Sequence, residues 1–139
     1  MGFFCSPIGL GHATRDVAIA EFLDKTQLKF LTGIGAAKLI SEYGFLVSDK
    51  YIPPSFDVQN GALKGSFKWL WSYYQYYKDC KKISQKFIDD ESPKIVVSDE
   101  DFASLTIAQQ KKIPTILITD ILKTNFTKGI GSIDRKSHV

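Results

Sequence analysis

Five short apolar runs punctuate this chain, and a helical stretch follows each of the first four. The runs are Phe3-Phe4-Cys5-Ser6-Pro7, Leu28 to Thr32, Phe45 to Ile52, Lys94 to Ser98 and Pro114 to Thr119. Between them, helices are expected over His12 to Asp24, Ala36 to about Tyr43, about Phe67 to Asp89, and Asp101 to Lys112. In the first of these, Ala13, Val17, Ala20 and Leu23 recur at helical spacing, with charges between them. The Ile95-Val96-Val97 run has the continuous apolarity of a strand buried on both faces. Strands alternating with helices imply a Rossmann-like parallel α/β sheet, joined by right-handed crossovers and covered by helices on both faces. The expected strand order is 3-2-1-4-5. The chain then reverses between strands 1 and 4, and a crevice opens at their carboxyl ends.

A length of 139 residues suits one domain with its own core, and 44% hydrophobic with 24% charged residues is a globular balance. The net charge of +3 is too small to argue for nucleic acid. Cys5 and Cys80 form neither a metal-ligand pattern nor a disulfide framework, so no metal is expected and a reducing, cytoplasmic setting is the simplest reading. No apolar run approaches the ~20 residues of a membrane span.

The residues that the strand order brings to the crevice carry the candidate chemistry. Gly9-Leu10-Gly11-His12 follows strand 1, and Asp99, Glu100 and Asp101 follow strand 4. Glycine lets the backbone approach a ligand, and a helix N-terminus favours an anion or a polarised oxygen. A dinucleotide fits poorly: the fingerprint's third glycine would fall at Thr14, and strand 2 ends in Leu31-Thr32-Gly33-Ile34 without an acid for the ribose. His12 can serve as a general base, with Asp99 fixing its tautomer. A contact to an anion or a loop hydrogen bond is the alternative for His12, and a helix cap for Asp99. Arg15, one turn after His12, could hold a phosphate or carboxylate, or form a surface ion pair with Asp16 or a neighbouring acid.

The third helix opens on Phe67-Lys68-Trp69-Leu70-Trp71-Ser72-Tyr73-Tyr74-Gln75-Tyr76-Tyr77, with seven aromatic residues in eleven. Trp69, Tyr73, Tyr76, Cys80, Ile83 and Phe87 make an ordinary core stripe. Leu70, Trp71, Tyr74 and Tyr77 add apolar surface on the remaining circumference. A lipid-like acceptor, a membrane interface or a partner chain would use it. Packing under the segment from Pro53 to Ser66, expected to be a loop with Gly61 and Gly65 inside, is the plainer reading.

The Gly9-Leu10-Gly11-His12-Ala13-Thr14-Arg15 segment resembles the first loop of glycosyltransferases of the two-domain B-type fold. Its G-x-G-H-x-x-R form resembles the branch of the lipid-linked peptidoglycan N-acetylglucosaminyltransferase and its predicted prokaryotic relatives. Ile95 to Asp99 and Pro114 to Asp120 are similar to that family's N-terminal half. The resemblance implies an acceptor-binding domain over 1–120. It also implies a tail over 121–139 that leads towards a donor-binding domain, which must come from further sequence or from a second chain. It implies a nucleotide-sugar as co-substrate, a lipid-linked or glycan acceptor, no metal or other cofactor, and peripheral contact with the inner membrane face. Gly9 and Gly11 would line the cleft, with His12 and Asp99 catalytic. Arg15, Glu100, Trp69 and Trp71 are the further substrate-binding candidates. On this reading the isolated chain is inactive. The alternative is a non-catalytic Rossmann-like module that holds a lipid or protein partner through the aromatic helix.

Overall fold

The computed structural model describes residues 1–55, 58–59, 62–63 and 65–120. Strand β1 (Gly2–Cys5) leads into α1 (Leu10–Ala20), β2 (Lys29–Gly33), α2 (Ile34–Glu42) and β3 (Leu46–Tyr51). A two-residue pair, β4 (Val58–Gln59) and β5 (Ala62–Leu63), precedes α3 (Ser66–Glu91), β6 (Val96–Asp99), α4 (Phe102–Gln110) and β7 (Thr115–Ile118). Five strands form one parallel sheet in the order β3-β2-β1-β6-β7, which is the expected 3-2-1-4-5.

The pleat of β1 divides the interior into two cores. Phe3 and Cys5 point to one face, where they pack with Phe30, Val97 and the α1 and α2 residues Ala13, Val17, Ala20, Ala36 and Ile40. Phe4 points to the other, with Leu31, Val96 and the α3 and α4 residues Cys80, Phe87, Ile88, Ala103 and Ile107. Phe3 stacks on Phe30, with 4.6 Å between ring centroids, and Phe4 meets Phe87 edge-on at 5.3 Å.

Three local features differ from the sequence expectation. Helix α1 starts at Leu10, not His12, so Gly11 and His12 lie in its first turn. Gly9 is the residue before it, at φ 85°, a conformation that favours glycine. The expected 53–66 loop contains the antiparallel β4–β5 pair. The aromatic stripe of α3 is fully buried only in its second half. Cys80, Ser84, Phe87 and Ile88 are buried, whereas Trp69 and Tyr73 are half-buried and stack on each other at 5.2 Å. The tail at 121–139 lies outside the described residues.

Gly33 closes β2 where the backbone of β3 presses on it. A Cβ there would lie 2.5 Å from the Tyr51 carbonyl oxygen and 2.8 Å from Pro7 Cβ. Its φ of −120° suits any residue, so space alone decides. Gly33→Ala should therefore destabilise the fold by about 1–3 kcal/mol, read as a lower urea midpoint at unchanged slope. An unchanged midpoint would mean that the strands part without cost.

Candidate active site

Register places the first acid. Cys5, the last residue of β1, is paired with Asp99, the last of β6, and the Ser6 N–H donates to the Asp99 carbonyl at 3.2 Å. The chain then turns through Gly9 into α1, whose first turns pass over the same strand ends. His12, Arg15 and Asp16, three and four residues apart, therefore share one helix face. That face looks onto Asp99.

The Asp99 side chain is fully buried and serves two partners. His12 Nδ1 lies 3.1 Å from Asp99 Oδ1. Arg15 donates to both oxygens, from Nε to Oδ2 at 3.2 Å and from Nη2 to Oδ1 at 2.5 Å. Arg15 Nη2 is also 3.3 Å from His12 Nδ1. We assign the proton on Nδ1 to the carboxylate contact, which is shorter and charge-assisted. Nε2 then carries the lone pair. Arg15 Nη1 reaches Asp120 at the end of β7, so one guanidinium ties together α1, β6 and the last described residue.

Glu100 completes the group. It sits between β6 and α4 at φ 51°, an uncommon conformation for a residue with a side chain. Its Oε1 accepts from the Thr119 hydroxyl at 3.2 Å and the Asp120 N–H at 3.1 Å. Its Oε2 faces His12 Nε2 at 3.7 Å. The His12 and Glu100 side chains are 19% and 22% exposed, so both can meet a solute.

Asp101 is the helix cap, a role that sequence reasoning had open for Asp99. Its Oδ1 accepts from the N–H groups of Ala103 and Ser104, both at 3.2 Å. Its Oδ2 accepts from the Tyr51 hydroxyl at 2.6 Å, so the Ser84 hydroxyl, also 2.6 Å from that oxygen, donates to Tyr51. Burial pushes the Asp101 carboxyl up from its usual range and raises the Tyr51 phenol. Over this network lies a cavity of about 40 Å³, lined among others by Glu100, Phe102, Tyr73, Tyr76 and Tyr77.

The structure thus brings together His12, Arg15, Asp99 and Glu100. Gly9 and Gly11 stand at the start of α1, where an added Cβ would meet nothing within 4 Å, leaving open space for a ligand. No acidic residue occupies that first turn, and no side chain caps it. Trp71 belongs to a separate feature. With Phe67, Leu70, Tyr73, Tyr74 and Tyr77 it lines an open apolar groove on α3. Phe67 is 83% exposed and Trp71 60%. Lys78 and Lys81 lie over the rings of Tyr74 and Tyr77. Among the described residues, no helix is long and apolar enough to cross a membrane.

The sequence reading missed Asp120 as a site residue and put Asp16 on the surface as a partner for Arg15, and the structure corrects both. Asp120 meets Arg15 only because β7 lies beside β6. Asp16 is fully buried, and neither carboxyl oxygen has a hydrogen-bond partner. It left a signal: Ala13, Asp16, Val17 and Ala20 are the buried positions of α1, so an acid occupies the core stripe. Burial, and then the neighbouring Asp99 carboxylate, push its pKa up to about 8.

No family model matches the chain, and no curated protein matches it. Solved structures do. The calicheamicin glycosyltransferase CalG4 superposes with a TM-score of 0.67 at 16% identity, over 92% of this chain and 34% of that one. The glycotransferase of kitacinnamycin superposes with a TM-score of 0.62 at 13% identity, over 85% of this chain and 29% of its own. The chain thus spans about a third of the length of these structures. At such identities the likeness is one of fold: this chain is a Rossmann-like α/β domain of the kind that two glycosyltransferases contain.

Proposed function

We propose that the chain is the acceptor-binding half of a nucleotide-sugar-dependent glycosyltransferase. The observation that carries this reading is the His12–Asp99 pair, with Asp99 fully buried and the His12 side chain 19% exposed, at the sheet edge where such folds bind ligands. Nε2 accepts the proton of an acceptor hydroxyl as that oxygen attacks the anomeric carbon of the donor and the nucleoside diphosphate departs. Asp99 holds the Nδ1–H tautomer and stabilises the imidazolium that forms. Arg15 serves the pair by fixing Asp99 with two hydrogen bonds. Gly9, Gly11 and the uncapped start of α1 form the wall facing the donor, whose diphosphate suits a helix N-terminus. A donor-binding domain, reached through residues 121–139 or supplied by a second chain, contributes the rest. Without it the chain transfers nothing.

In the complete enzyme, His12→Ala should lower transfer about 10²–10⁴-fold and leave the circular dichroism spectrum unchanged, since His12 packs in no core. Near-normal turnover would remove the catalytic role.

The groove on α3 favours a second component of this reading, an apolar moiety on the acceptor or a membrane surface beside it. Trp and Tyr suit a boundary that is apolar at one side and wet at the other, and Lys78 and Lys81 add positive charge for anionic headgroups. A cytoplasmic enzyme working at the inner membrane face, on a lipid-linked acceptor, fits both features. The alternative, a non-catalytic module that binds lipid or partner through α3 alone, needs only this groove. Trp71→Ser should weaken retention of the chain on anionic liposomes. Equal retention of mutant and parent would discard the membrane component.

A further inference from the structure

His12 Nε2 and Glu100 Oε2 make an unusual pair of neighbours. With Nδ1 protonated towards Asp99, Nε2 has a lone pair and no proton. Glu100 Oε2, 3.7 Å away, is also an acceptor. That separation is too long for a hydrogen bond between them. Two acceptors therefore stand side by side, each partly exposed and each lacking a donor from the other. A single hydroxyl has one proton and can serve only one of them. Two hydroxyls on adjacent carbons, about a hydrogen-bond length apart, can serve both.

Glu100 is held for such a task. Its other oxygen is pinned by the Thr119 hydroxyl and the Asp120 N–H, so Oε2 cannot swing away without breaking two hydrogen bonds. Beside it, Phe102 supplies the second observation: at 53% exposed it offers an apolar face across which the C–H surface of a saturated ring packs, while the cavity that both residues line, about 40 Å³, admits little more than water.

We propose that the acceptor presents a vicinal diol, as a sugar ring does: one hydroxyl donates to His12 Nε2 and reacts, and its neighbour donates to Glu100 Oε2 and is left unmodified. This rests on the acceptor-binding reading above, and it makes Glu100 the residue that selects carbohydrate over simple alcohols. Only the proton of the reacting hydroxyl moves, to Nε2; the second hydroxyl keeps its proton.

The test needs neither donor nor a second domain. The chain has two histidines, His12 and His138, so the His12 ring resonances of the isotopically labelled chain can be followed singly. Cyclohexanol and trans-1,2-cyclohexanediol serve as one-donor and two-donor probes, at about pH 8.5, above the ordinary histidine range. The diol should half-saturate the His12 shift at about tenfold lower concentration than the mono-alcohol, the value of one added hydrogen bond to a charged acceptor. Glu100→Gly, which suits the positive φ at that position, should abolish the preference. Equal responses to the two probes, no response to the diol, or a preference that survives Glu100→Gly would overturn the proposal. Because transfer is not measured, that result would leave the effect of His12→Ala on turnover as a separate question.

Discussion

Asp16→Asn is expected to stabilise this protein at pH 8 and to leave it nearly unchanged at pH 4. The wild-type carboxyl is fully buried on α1 with neither oxygen hydrogen-bonded. Burial first, and the neighbouring Asp99 carboxylate second, through its competing acceptor oxygens more than its charge, raise its pKa from the ordinary 3.8 to about 8. The sign follows from proton counting. The folded chain keeps this proton up to about pH 8, whereas the unfolded chain releases it near pH 4. Between those values unfolding releases a proton, so each rise in pH favours the unfolded state. At about 1.4 kcal/mol for each pH unit, the interval sets an upper bound of roughly 6 kcal/mol, and relaxation around the site will reduce it to a few. Asparagine has the same shape and no proton to lose. Asp101 is raised as well, but it is present in both proteins and cancels in their difference. Urea titrations of both proteins from pH 4 to 9 measure this. The gap should open from near zero, grow to pH 8 and then level. Parallel curves would show that Asp16 ionises as freely folded as unfolded.

A helix designer would not bury an acid at position 16, which explains why the sequence places Asp16 on the surface beside Arg15. Periodicity found the stripe Ala13, Val17 and Ala20, and a charge within a stripe reads as an interruption. The strand order was legible for a different reason. Apolar runs such as Ile95-Val96-Val97 suit only a strand covered on both faces, and a parallel sheet built from them has few topologies available. From that order alone, His12 and Asp99 could be brought together across 87 residues. Side-chain commitments were not legible. Arg15 can be read as a phosphate ligand or as one member of an ion pair, and in the fold its guanidinium is held by Asp99 and Asp120. The start of α1 was misplaced by two residues because Gly11 argues against a helix locally, while packing against the first core overrides that preference. On α3 the aromatic density was plain, but which half would be covered depended on where α4 and β3 come to lie.

Buried acids next to a catalytic pair tie stability to chemistry, and Asp99→Asn should separate the two. In the complete enzyme this substitution keeps the shape but removes the charge that holds the His12 tautomer and stabilises its protonated form. Transfer is expected to fall about 10²–10⁴-fold. Stability should change far less. Arg15 loses its ion pair with Asp99, but its side chain is 28% exposed, so it can regain water and keep Asp120 as a partner. In return Asp16 loses the neighbouring charge that helped to raise its pKa, so its own penalty above pH 4 shrinks. The two substitutions must therefore be non-additive. Asp16→Asn should stabilise the Asp99→Asn background less than the wild type at pH 8, by about 1 kcal/mol or more, within the range for residues that share one buried polar cluster. Additive effects in a double-mutant cycle at pH 8 would mean that the two carboxyls do not sense each other, and that burial alone keeps the Asp16 proton in place. Coupling, together with the loss of transfer, would instead mean that the charge on which His12 depends is maintained at the expense of the fold, with Arg15 offsetting part of that cost.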